Sequence, residues 1–190
     1  MKLTFPLAAA AALSLAACGS SDDTAAPDAM ATDTGAMAEA NAAAAAADAP
    51  LPTDAQGFVD MASASDMYEV EAGKLAQTMG SAQSVKDFGK MMETDHTKST
   101  ADLKAAAAKV TGVAVNPQLT PKQQADLDAL KAAGDNFDSV YKTQQLAAHQ
   151  QALSLLQNYA SAGDQAALKD FAGKTAPVVQ THLDHAQMLP

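Results

Sequence analysis

Four histidines occur in this chain, His96, His149, His182 and His185. All four fall on apolar stripes with helical spacing. His96 continues Val85, Phe88 and Met92 and is followed by Leu103. His149 lies in a stripe of Lys142, Leu146, Leu153, Leu156 and Ala160, and His182 and His185 extend Leu168, Phe171, Thr175 and Val178. Glu69 does the same among Phe58, Ala62, Ser65, Ala72 and Ala76, and Glu93 stands three residues before His96. A carboxylate carried into a core is costly unless paired or bound to metal. Neutral imidazole is a transition-metal ligand. Glu69, Glu93, His96, His149, His182 and His185 are therefore the expected ligands of a transition metal, Fe, Zn, Cu or Ni. Asp95 is expected to orient the neighbouring His96 ring. A di-metal site of the ferritin-like kind takes a Glu from each of two helices and Glu-x-x-His from two more. Glu93-Thr94-Asp95-His96 has that form, but His149 and His182 stand where Glu is required. A mononuclear or histidine-rich site fits better than an oxygen-activating di-iron centre. The competing reading is a buried polar network in which these side chains, with Tyr68, Tyr141 and Tyr159, only fix helix register. No Gly-rich phosphate loop, Gly-x-Ser-x-Gly elbow or Cys-x-x-Cys pair is present, so nothing in the sequence argues for a nucleophilic enzyme.

The elements that must position these residues are all helices. From Gln56 onward no window alternates as a strand would. A first long helix ends at Gly80-Ser81. A second starts near Ala82, with Gly112 placed as its C-cap. Thr120-Pro121-Lys122-Gln123 reads as a capping box with Pro at the first helical position. It opens a short third helix that ends at Gly134. A fourth runs from about Asp135 to Ser161. Asp164 is expected to cap a fifth, which Pro177 is expected to kink or split. The residues from Gly112 to Gly134 can span about 45 Å, the length of the helix before them. The expected fold is thus an all-α, ferritin-like four-helix bundle with a short extra helix in the long crossover.

Ahead of the bundle the composition changes. Residues 19–52 are mostly Ala, Asp, Ser, Thr and Pro, with too few large apolar side chains to offset ordering entropy. They read as a disordered tether of about 30 Å root-mean-square reach. Leu15-Ala16-Ala17-Cys18 carries the chain's one cysteine and resembles the lipobox of bacterial lipoproteins, after Lys2 and an apolar run from Leu3. The resemblance implies cleavage before Cys18 and lipidation of its thiol. Gly19, rather than Asp, after the cysteine implies sorting to the outer membrane of a Gram-negative bacterium, facing the periplasm. The expected organisation is a signal peptide at 1–17, lipidated Cys18 and tether at 18–52, and the bundle at 53–190. The membrane would be contacted through the lipid anchor only. The chain has a net charge of −10 and no arginine. It therefore lacks a basic stripe for nucleic acid. No protein partner is indicated.

Several short blocks resemble a large bacterial family, the domain of unknown function DUF4142. They are Glu69-Val70-Glu71-Ala72-Gly73-Lys74-Leu75-Ala76, Val85-Lys86-Asp87-Phe88-Gly89-Lys90-Met91-Met92, Asp95-His96, Phe137-Asp138-Ser139-Val140-Tyr141, Ala148-His149 and His182-Leu183 with Ala186. The resemblance implies a ferritin-like bundle, commonly exported and often a lipoprotein, with no established activity. His96, His149 and His182 fall on its motif positions. His185 rests on spacing alone.

Overall fold

The computed structural model describes residues 50–190. The signal peptide, Cys18 and all but the last residues of the tether lie outside the described residues. Among the described residues there are five α-helices and no strand: α1 (Ala55–Met79), α2 (Gln83–Ala107), α3 (Pro121–Ala132), α4 (Phe137–Ala162) and α5 (Ala166–Gln187). A 3-10 turn at Gly134–Asn136 joins α3 to α4, with Gly134 at φ +53°, a conformation glycine adopts without a steric cost.

The long helices α1, α2, α4 and α5 make a four-helix bundle in which α1 packs on α2 and α4, and α5 packs on α4 and α2. Asp138, in the first turn of α4, accepts hydrogen bonds from the backbone N–H groups of Ser81 (2.9 Å) and Ala82 (2.8 Å). The α4 N-terminus is thereby fixed at the α1–α2 turn. At the other end Gln56, in the first turn of α1, clamps the backbone of Ala114 through both amide atoms (2.9 and 3.0 Å). The segment after α2 therefore travels the whole length of the bundle before α4 begins. One such crossover is the connectivity of ferritin-like bundles. Along the way α3 packs on α1 and α4.

Local signals explain most boundaries. Asp54 caps α1 by accepting from Gly57 N–H, and the Thr120 capping box is complete, with Pro121 at the first helical position. Other expectations are corrected. The second helix ends at Ala107 rather than at Gly112. Lys109 and Val110 form tightened bonds to Ala106 and Ala107, and Gly112 (φ +82°) turns the chain afterwards. Gln165, not Asp164, occupies the N-cap of α5, without a side-chain bond. The Asp164 carboxylate instead accepts the Tyr159 hydroxyl at 2.8 Å, because the buried phenol needs an acceptor. The α5 helix is not split and runs through Pro177, with Ala172 and Val179 packed on either side of it. Leu51 packs on the bundle and the Pro52 carbonyl accepts from Asn158, so the chain is already attached two residues before Thr53.

Two apolar clusters fill the interior. One, at the end where α2 gives way to the crossover, includes Phe58, Leu103, Leu156, Tyr159 and Leu168. The other, toward the α1–α2 turn, includes Phe88, Met92, Leu130, Phe137 and Tyr141. At the level of the second cluster α1 and α2 touch backbone to backbone. A Cβ on Gly73 would lie 2.5 Å from the Gly89 carbonyl oxygen, and one on Gly89 would lie 2.7 Å from that of Gly73. Among the described residues, both clusters are built from positions within 51–189.

Candidate metal centre

A layer of buried polar side chains separates the two apolar clusters: Asp66 and Glu69 from α1, His96 from α2, Gln145 and His149 from α4, and His182 from α5. The bundle thus brings together residues 116 positions apart, counting from Asp66 to His182. The three imidazole rings form a nearly equilateral triangle. Their centroids are 5.8 Å (His96–His149), 5.5 Å (His96–His182) and 5.6 Å (His149–His182) apart. One ring nitrogen from each lies within 4.8 Å of one from each of the others.

Each ring is held by one nitrogen and leaves the other free. His96 Nδ1 bonds Asp66 Oδ1 (2.8 Å), His149 Nδ1 bonds the Gln145 carbonyl (2.9 Å), and His182 Nε2 bonds Asp95 Oδ2 (3.0 Å). These oxygens are acceptors, so the nitrogen facing each carries the hydrogen. The remaining nitrogens, His96 Nε2, His149 Nε2 and His182 Nδ1, are buried and have no hydrogen-bond partner. In the neutral rings they present lone pairs. Such outer hydrogen bonds are what fix the tautomer of metal-ligating histidine.

Charge favours the same state. Burial and the neighbouring His96 charge push His149 down to about 4, despite the Gln145 carbonyl. Burial and His96 likewise push His182 down to about 4, despite Asp95. Both rings are therefore neutral at pH 7. His96 is the exception. Burial disfavours its charge, but the hydrogen bond to Asp66 and the charges of Glu69, Asp66 and Asp95 outweigh that and raise its pKa. Burial pushes Glu69 up to about 7, against the pull of His96. The Gln145 amide also draws the Glu69 pKa down, yet stops short of hydrogen-bond geometry, and both Glu69 oxygens lack a donor.

The other expected ligands lie elsewhere. Glu69 Oε1 stands 3.8 Å from His149 Nδ1, the nitrogen held by the Gln145 carbonyl, and the carboxylate is not among the groups whose ligand atoms share the 4.8 Å spacing. Glu93 is half-buried, and its Oε2 accepts from Gln77 at 2.8 Å; three residues before His96, it is turned about 60° around α2 from the inward direction. His185 is exposed: the buried stripe of α5 runs through Val179, His182, Leu183 and Ala186, and position 185 falls just outside it. Asp95 holds His182 on α5 rather than the adjacent His96, because neighbouring helical residues diverge by about 100°. The partner of His96 is Asp66, which the stripe through Ser65 does not single out. Its spacing of three from Glu69 is the signal that points to it. Gln145, one turn before His149, also lies off the expected stripe; Tyr141 and Gln145, not Lys142 and Leu146, face inward.

The three tyrosines do not complete the hydrogen bonds of the histidines. Tyr68 bonds Gln144 and Tyr159 bonds Asp164, while the Tyr141 hydroxyl has no partner. None of the three satisfies a histidine. A network kept only for register would close its own hydrogen bonds. This one leaves one buried nitrogen of each ring without a partner. The residues present fit a metal that accepts imidazole, whereas the two Glu and two Glu-x-x-His of a di-iron centre are not assembled.

A family model described as a domain of unknown function, DUF4142, matches residues 40–189. The chain belongs to this family. Its matched span covers all three inward histidines and both apolar clusters. No curated protein and no solved structure matches the chain.

Proposed function

We propose that this DUF4142 domain binds one divalent transition metal ion through His96, His149 and His182, and that it does so at the periplasmic face of the outer membrane, tethered by lipid on Cys18. The observation that carries the metal reading is that three buried histidines each offer a ring nitrogen within 4.8 Å of the others, on rings that each have one nitrogen held and one unpartnered. Zn, Cu, Ni and Fe are the candidate ions, because a buried all-imidazole triangle suits all four. The nitrogens of three imidazoles bound tetrahedrally at about 2.1 Å stand about 3.4 Å apart, so the rings have little distance to close. The role that follows is metal capture or storage in the envelope. The lipobox-like run ending at Cys18 supports the anchor.

The test uses untagged residues 50–190. One equivalent of Zn²⁺ or Co²⁺ should bind and raise the melting temperature, and His182→Gln should weaken binding at least about 100-fold while the apo domain still folds. If saturating metal leaves the melting temperature unchanged, the domain is a structural module instead. The anchor is tested separately on the full chain. Mass spectrometry should find acyl groups on Cys18, and Cys18→Ser should release the protein from the membrane fraction.

A further inference from the structure

The orphan oxygens of Glu69 are not explained by three histidine ligands alone. The carboxylate is buried among α1, α2 and α4, it accepts no hydrogen bond, and it is not among the atoms that share the 4.8 Å focus. Its approach to His149 is from the side of Nδ1, the nitrogen committed to the Gln145 carbonyl. A carboxylate placed as a ligand would face the inward nitrogens. One placed to accept a hydrogen bond from something on the metal would stand a water's width further out. Three protein ligands with a fourth position left to solvent is also the arrangement of exchangeable zinc sites, whereas structural sites are closed by four.

Resting on the metal reading above, we propose that the fourth position of this centre is open to a water that a compact anion can displace, and that Glu69 accepts a hydrogen bond from that water rather than being a ligand itself. A water on the ion supplies the donors that Glu69 lacks. The ligand must be small, because Glu69 and all three histidines are buried. The crossover helix α3 covers α1 and α4, and on the side of α2 and α5 the Asp95 side chain that holds His182 is 40% exposed. The ligand class is therefore water, hydroxide and compact anions such as azide or cyanate.

The experiment loads residues 50–190 with Co²⁺ and records the visible spectrum during titration with sodium azide. The expected result is a saturable shift of the d–d bands in the wild type. Glu69→Gln should keep one Co²⁺ per chain and bind azide about tenfold more tightly, since a nearby negative charge is removed. A spectrum indifferent to azide overturns the open position. Loss of Co²⁺ in Glu69→Gln makes Glu69 a ligand and overturns the proposal as well. In both cases bound Co²⁺ in the wild type leaves the three-histidine reading standing. Failure of the wild type to bind Co²⁺ at all would remove both.

Discussion

Replacing Glu69 by Gln should stabilise the metal-free domain and steepen its acid unfolding. The reasoning starts from proton linkage. Glu69 is raised from an ordinary 4.5 to about 7 in the fold. Its folded form thus prefers the proton, and stability falls as pH rises from 4.5 through 7. His149 and His182 are lowered from 6.5 to about 4. Their folded forms prefer to be neutral, so the stability they allow is present above 6.5 and lost as pH falls toward 4. A tenfold difference in proton affinity between the folded and unfolded chain is worth about 1.4 kcal/mol. Each of these groups therefore carries about 3 kcal/mol of pH-dependent stability. Between pH 7 and pH 4 the two histidines withdraw about 6 kcal/mol, and Glu69 returns about 3. His96, raised in the fold, adds stability that is present below 6.5 and lost as pH rises through its folded value, so it acts in the same direction as Glu69. Urea unfolding in EDTA, from pH 4 to pH 8, measures the balance. The wild type should lose about 3 kcal/mol between pH 7 and 4. Glu69→Gln should begin higher by up to about 3 kcal/mol at pH 7 and lose about 6 over the same range. A variant less stable than the wild type at pH 7, or one with the same acid slope, would refute the account of this layer. Zinc should steepen the trend in the wild type, because it needs neutral imidazoles and offsets the Glu69 charge, so the loaded protein gains stability up to pH 8.

Two further expectations follow from single contacts. Asp66→Asn removes the carboxylate that holds His96 Nδ1 at 2.8 Å, and Zn²⁺ affinity measured by chelator competition should fall about 10- to 100-fold with the fold intact. Gly73→Ala drives a methyl to 2.5 Å from the Gly89 carbonyl oxygen, forcing α1 and α2 apart, and should cost about 1–3 kcal/mol in chemical denaturation.

Periodicity alone was enough to give the helices and their order, because an apolar residue every three or four positions can bury only on a helix. The Thr120 box and the reach of residues 112–134 likewise made the crossover legible, since capping chemistry is local and chain length bounds span. Candidate ligands could be named as types on stripes: imidazole and carboxylate are conspicuous on apolar faces. What spacing left open was angle. A shift of one residue turns a side chain about 100°, which is why Asp95 faced α5, Glu93 and His185 fell outside the layer, and Val179 rather than Val178 packed inward. Convergence was decided only when four helices set their relative heights. That depended on the Gly73–Gly89 contact and on Asp138 fixing α4 to the α1–α2 turn, interactions between residues far apart in the chain. The same packing stripped water from Glu69 and two histidines, and it is this desolvation, absent from any linear reading, that turned ordinary side chains into neutral imidazoles and an unsatisfied carboxyl group.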